Sequence, residues 1–317
     1  MSASNAISSR TTAAPPEADR PRNEGSSSST DAGTRVEKLH FGLKGRSLRL
    51  DPRVHAYRRD IADIALAGEV ISSHYARPLP RACGSRATMV WPQPAAEGDA
   101  VSELLPGEGF NVLEYSERWA WGYCAADHRV GYVESIELVE PAEPTHIVCE
   151  AKVPVFADSN IEATRLACMP MGARLTGHEE GACLMSEMGC VPLSHLRRLD
   201  EAECDPAGVA MRLMHAPYLP GGRSHAGVDA SGLIQLALTP CGARAPRDLD
   251  MQRDIGVAVN GPLTRGDIVI AGDEGGVMID DLMLIHASRS AGKVTVEPVA
   301  MVEARHQGDS VRRRFEG

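Results

Sequence analysis

Pro217-Tyr-Leu-Pro-Gly-Gly-Arg-Ser-His-Ala-Gly-Val-Asp-Ala-Ser-Gly-Leu-Ile-Gln235 is the stretch on which the fold turns. Two glycine clusters lead into an Asp-x-Ser-Gly turn, and the turn opens an apolar run, Ser231 to Leu238, that predicts a helix stopped by Pro240 and Gly242. A glycine turn ahead of a helix start aims backbone N–H groups and the positive end of the helix dipole at position 230. Chemistry uses that geometry to lower a thiol pKa or to hold a developing oxyanion. Residue 230 is alanine, which has nothing to ionise.

Working outward, Pro206 to His215 predicts another helix. Downstream, Asp267–Ala271, Gly276–Ile279, Leu282–Ala287 and Val294–Pro298 read as strands. Helices first and an antiparallel sheet afterwards is an α+β pattern over residues 200–317. Upstream, residues 81–141 and 142–199 each hold short strands broken by glycine, proline and acidic turns. Both have a strand, a proline-bearing segment, a Pro-Gly or Pro-x-Gly turn and a hairpin, so they read as two small like-folded barrels joined by a Pro141–Pro144 linker. Residues 46–80 are predicted to be helical. Asp51 serves as N-cap, Pro52 takes the first helical position, and Tyr57, Ile61, Ile64 and Ala65 follow at helical spacing. Residues 1–45 are polar and are expected to be disordered.

The chain has 317 residues, 43% of them hydrophobic, and a formal charge of -10. That apolar share excludes wholesale disorder, and the acidic balance argues against a nucleic-acid partner. No apolar run is long enough for a membrane span, and no basic-then-apolar leader stands at the N-terminus. A cytoplasmic protein is the expectation. None of the 8 cysteines forms a C-x-x-C pair, and no Cys/His group has zinc-finger spacing. They are read as reduced packing thiols, and neither a metal nor a cofactor is expected.

The quoted stretch resembles the active-site segment of the NlpC/P60 cysteine peptidases, whose usual form is Tyr-Leu-Trp-Gly-Gly-Arg-Ser followed by Gly-(Ile/Leu)-Asp-Cys-Ser-Gly-Leu-(Val/Ile)-Gln. Further motifs of that family follow in order: Ala245-Pro-Arg-Asp-Leu-Asp-Met-Gln252, Arg265-Gly-Asp-Ile-Val269 and Leu284-Ile-His-Ala287. Trp119-Ala-Trp-Gly, Gly131-Tyr-Val133 and Pro144-Thr-His146 are similar to the tandem bacterial SH3 modules of dipeptidyl-peptidase-VI-like members, and Asp51 to Tyr57 to their N-terminal helix. The resemblance implies a papain-like domain behind two SH3-like barrels. It also implies the family's activity, a γ-D-glutamyl–diamino acid endopeptidase acting on peptidoglycan peptides.

That activity rests on a Cys nucleophile, a His base and a third residue that orients the base. By the resemblance, the nucleophile slot holds Ala230. Read without gaps from Arg265 to Ala287, the base slot holds Glu274, and the orienting position is His286. Pro220 and Ala271 stand where aromatics are usual. Loss confined to the chemistry implies an inactive pseudoenzyme that binds a small peptide, such as a muropeptide, or a protein partner. The alternative is an active cell-wall peptide hydrolase of the same family with a relocated catalytic set. Tyr218, Asp229, Ser231 and Trp119 are the ligand-binding candidates, and the resemblance implies that Asp229 and Tyr218 hold a peptide's free amine. Trp119 reads equally well as barrel core.

Overall fold

The computed structural model describes residues 50–159, 164–201 and 205–315. The disorder expected for residues 1–45 lies outside them. None of the described helices is long and apolar enough to cross a membrane.

Among the described residues 50–80, the helix expected within 46–80 does not form. They make turns, short bridges and a single 3-10 turn, Ile64–Leu66. The Asp51 carboxylate folds back on Arg53, accepting from its backbone N–H at 2.9 Å and from its guanidinium at 2.8 Å, rather than capping a helix. Such local bonds compete with helical ones. Ala56 and Ile61 bury against Leu113 and Trp121 of the first barrel, while Ile64 stays exposed. Packing onto the barrel, not amphipathic periodicity, uses these apolar residues.

Residues 79–139 hold a five-stranded antiparallel sheet in the order Val130–Glu134, Trp119–Cys124, Gly109–Ser116, Leu79–Cys83, Leu138–Val139. The hairpin Thr88–Val90 with Ser102–Leu104 accompanies it. Phe110, Leu104, Val90 and Val133 fill the core between them. Residues 146–198 build a five-stranded and a three-stranded sheet around Val153, Val155, Met169 and Leu184. Here Cys183 and Cys190 are joined as a disulfide, with Cα atoms 5.8 Å apart. That corrects the reading of all cysteines as unpaired thiols. Seven residues of separation in sequence hide the pairing, whereas antiparallel neighbouring strands bring the two within disulfide reach.

The C-terminal part contains α1 (Pro206–Met211), α2 (Ala230–Leu238), α3 (Leu249–Gln252), then β1 (Val257–Ala258), β2 (Ile268–Ala271), β3 (Glu274–Met278), β4 (Met283–Ser288), β5 (Lys293–Pro298), α4 (Val299–Arg305) and β6 (Ser310–Arg314). The sheet is antiparallel, in the order β1-β6-β2-β3-β4-β5. Alternation gives it two buried faces. Val277, Ile285, Ala287 and Val294 pack against Leu233, Leu236 and Ala237 of α2. Val269, Met278 and Leu284 pack against Val299 and Val302 of α4.

The start of α2 is pressed into the glycine turn. A Cβ on Gly232 would meet the Gly222 carbonyl oxygen at 2.4 Å, and that neighbour is backbone. Gly232→Ala is expected to cost about 1–3 kcal/mol in urea unfolding; an unchanged midpoint would show that the turn yields freely.

Candidate active site

Ala230 is the first residue of α2 and is buried. Its neighbour Asp229 is the N-cap, and both carboxylate oxygens are engaged. Oδ1 accepts from the Gly232 N–H at 2.8 Å and from the Ser231 hydroxyl at 3.2 Å. Oδ2 accepts from the Gly221 N–H at 2.8 Å and from Arg247 at 2.7 Å. Arg247 also donates to the Ser231 Oγ at 2.5 Å and to Ser102 Oγ, in the first barrel's hairpin, at 3.2 Å. Asp229 and Ser231, two ligand-binding candidates, therefore support the helix start from below. Four donors surround Asp229 before any ligand amine arrives.

Tyr218 is half-buried, and its hydroxyl accepts from Arg289 Nε at 3.3 Å, with the guanidinium 5.4 Å from its ring centre. The backbone fixes it, because the Tyr218 N–H donates to the Gly292 carbonyl at 2.9 Å in the β4–β5 turn. Trp119 is buried in its barrel strand opposite Glu134, with the Arg118 guanidinium 5.4 Å from its ring centre.

Glu274 opens β3, and His286 lies in β4 opposite Gly276. Strand alternation directs both to the face covered by α4. Gly275, of opposite parity, faces Ile234 of α2. Glu274 accepts from Arg305 Nε at 2.9 Å and lies 3.0 Å from His306 Nε2. The His286 ring, fully buried, sits between two carboxylates, 3.8 Å from Glu274 and 3.4 Å from Glu297. Thus the structure joins Glu274 and His286 in one cluster with Arg305, His306 and Glu297. Ala230 belongs to a different set of contacts, with Asp229, Ser231 and Arg247.

Burial works to raise the Glu274 carboxyl pKa, but its hydrogen bonds to Arg305 and His306 prevail and hold it below the usual range. A carboxylate so placed is a poor general base, because its proton affinity is spent on fixed donors. Burial holds the His286 imidazole below the ordinary histidine range, against the opposing pull of Glu297 and Glu274. With a lowered histidine pKa the unfolded chain takes up the proton first. The contribution of His286 to stability is therefore complete above the unfolded value of about 6.5 and is lost as pH falls from there through its lower folded value. Below about pH 6.5 the urea midpoint should fall, and His286→Gln should flatten that fall. Parallel slopes for the two proteins would remove the assignment.

The sequence reading did not single out Arg305, His306 or Glu297 at this cluster, and Arg247 entered only through a family motif. Nothing in their spacing marks them; they converge through the sheet and α4. Among the described residues no group of three His, Cys, Asp or Glu side chains could hold a metal ion.

Residues 215–312 match the family model described as NlpC/P60 family, and residues 90–138 match the bacterial dipeptidyl-peptidase SH3 domain. Among solved structures, the chain is similar to an NlpC/P60 family protein from Bacillus cereus, with 16% identity, 75% of this chain and 99% of that one covered, and a TM-score of 0.65. It is also similar to an NlpC/P60 endopeptidase from Photobacterium damselae subsp. piscicida (13% identity, 74% and 70% covered, TM-score 0.48). The peptidoglycan hydrolase RipB from Mycobacterium tuberculosis is 30% identical over 34% of this chain and 62% of its own, with a TM-score of 0.30. No curated protein matches the sequence. Residues 215–312 are therefore an NlpC/P60 family domain, with a bacterial SH3 domain at 90–138 ahead of it.

Proposed function

We propose that this peptidoglycan-hydrolase-like protein has lost thiol catalysis and acts by binding a small peptide or a protein partner. One observation carries this: the helix start that would activate a nucleophile presents the methyl group of Ala230. The state of Glu274, committed to Arg305 and His306, supports it. The proposal includes the domain limits of the sequence reading, with SH3-like modules at 81–141 and 142–199 ahead of the 200–317 domain. The two sheets around the core of Val153, Met169 and Leu184 support the second module.

Incubated with L-Ala-γ-D-Glu–diamino acid peptides, the protein is expected to release no dipeptide above a protein-free blank, while the same peptides give a binding isotherm in calorimetry. Turnover in the wild-type protein would overturn the reading. Ala230→Cys alone should also stay at the blank rate. A thiol there gains the helix dipole but no base, and a nucleophile–base unit loses most of its rate when one member is missing.

A further inference from the structure

Outside the cluster around Ala230 and the one around Glu274, a polar cavity of about 420 Å³ lies where the two barrels meet the C-terminal domain. Glu108 and Asp127 reach it from the first barrel, Arg174 from the second, and Arg223, Gln235 and Arg244 from the C-terminal domain. Three buried polar atoms of these residues have no hydrogen-bond partner among the described residues: Arg174 Nε, Arg223 Nε and Gln235 Oε1. Gln235 and Arg223 are only 4% and 5% exposed. Leaving such groups unpaired in the interior is unfavourable.

The orientation of Gln235 follows from chemistry. Its Nε2 donates to the Asp127 carboxylate at 2.9 Å and to the Ala245 carbonyl at 2.9 Å. A flipped amide would set oxygen against two acceptors. Oε1 is therefore an acceptor that requires a donor. Arg223 spends both terminal nitrogens on Glu108 and on the Glu103 carbonyl, which leaves its Nε–H in need of an acceptor. Arg174 and Arg244 have no ion-pair partner among the described residues, and Arg174 Nε–H needs an acceptor too.

We propose that this cavity binds a small free α-amino acid. Its carboxylate would accept from Arg174 and Arg223 Nε, and its ammonium would donate to Gln235 Oε1 beside Asp127. A zwitterion fits because the lining offers both signs: the cationic donors of Arg174 and Arg223, and the neutral acceptor of Gln235 beside the Asp127 carboxylate. A simple anion would leave Gln235 unsatisfied. Ordered water could pair all three atoms as well, since polar cavities of this kind are commonly hydrated.

The test is calorimetry and thermal unfolding of the full chain with the free amino acids, each tried singly at millimolar concentration, and with acetate, methylamine and inorganic phosphate for comparison. At least one amino acid is expected to bind, about tenfold or more tighter than the three comparison compounds. Arg174→Met should weaken that binding about tenfold or more while leaving the ligand-free melting temperature unchanged. Should Arg174→Met fold poorly, Arg174→Gln takes its place. Absence of any amino-acid binding would mean a water-filled cavity and overturn the proposal. So would phosphate or acetate binding as tightly as the best amino acid, or unaltered binding in the Arg174 variants. None of these readouts involves peptide cleavage.

Discussion

Arg223→Met is expected to destabilise the protein by about 3–5 kcal/mol, read as a lowered urea midpoint. Arg223 lies in the glycine-rich stretch ahead of α2, and both its side chain and that of Glu108 are buried. Its backbone N–H donates to Glu103 Oε2 at 2.6 Å, and its guanidinium holds both oxygens of Glu108, at 2.8 and 3.0 Å. These bonds tie the first barrel to the C-terminal domain. Removing the guanidinium strands the Glu108 charge in the interior, and that uncompensated charge, not the lost attraction, sets the size of the effect. A whole domain is stable by only about 5–15 kcal/mol, so the variant should be close to unfolding at moderate temperature. Arg223→Met with Glu108→Gln should be less destabilised than Arg223→Met alone, because the stranded charge is gone. Equal midpoints for the single variant and the wild type would mean the tie carries no stability.

What the sequence disclosed follows the range of the forces involved. Helix α2 was legible because its N-cap, its glycine turn and its apolar run are all local, and Asp229 caps Gly232 as the Asp-x-Ser-Gly pattern requires. Strands β2 to β5 were legible because short apolar runs bounded by turn residues are also local. The segment around Asp51 was misread because tertiary burial of Ala56 and Ile61 decides its shape. The gap-free reading put Glu274 and His286 in adjacent slots, and they do lie together. Their partners Arg305, His306 and Glu297 come from the end of α4, the residue after it and β5, and no local pattern announces them. The same holds for Arg223 with Glu108, which are 115 residues apart. One consequence changes the chemistry. Taken alone, Glu274 adds a negative charge to the region. Arg305 is shared between Glu274 and Glu297, so one guanidinium faces two carboxylates and the charge on Glu274 is only partly offset.

Arg247→Lys is expected to cost about 2–4 kcal/mol and to loosen the first turn of α2 before the rest of the domain. The guanidinium makes three bonds in three directions, to Ser102 Oγ, Ser231 Oγ and Asp229 Oδ2, at a site only 2% exposed. A lysine ammonium keeps the charge but is a single point, and reaching Asp229 means leaving the two serines. The change therefore separates charge from geometry. If the arginine served only to neutralise Asp229, lysine would be nearly silent. If the planar fork positions the helix start, the amide protons of Ser231 and Gly232 should exchange with solvent faster in the variant, while those of the β3–β4 ladder keep their protection. Arg247→Met extends the comparison, since it also strands the Asp229 carboxylate and should cost more than lysine does. A lysine variant with wild-type exchange at Ser231 and Gly232 would reduce Arg247 to a counter-charge. The rigid presentation of position 230 would then rest on the Asp229 cap and the glycine turn alone.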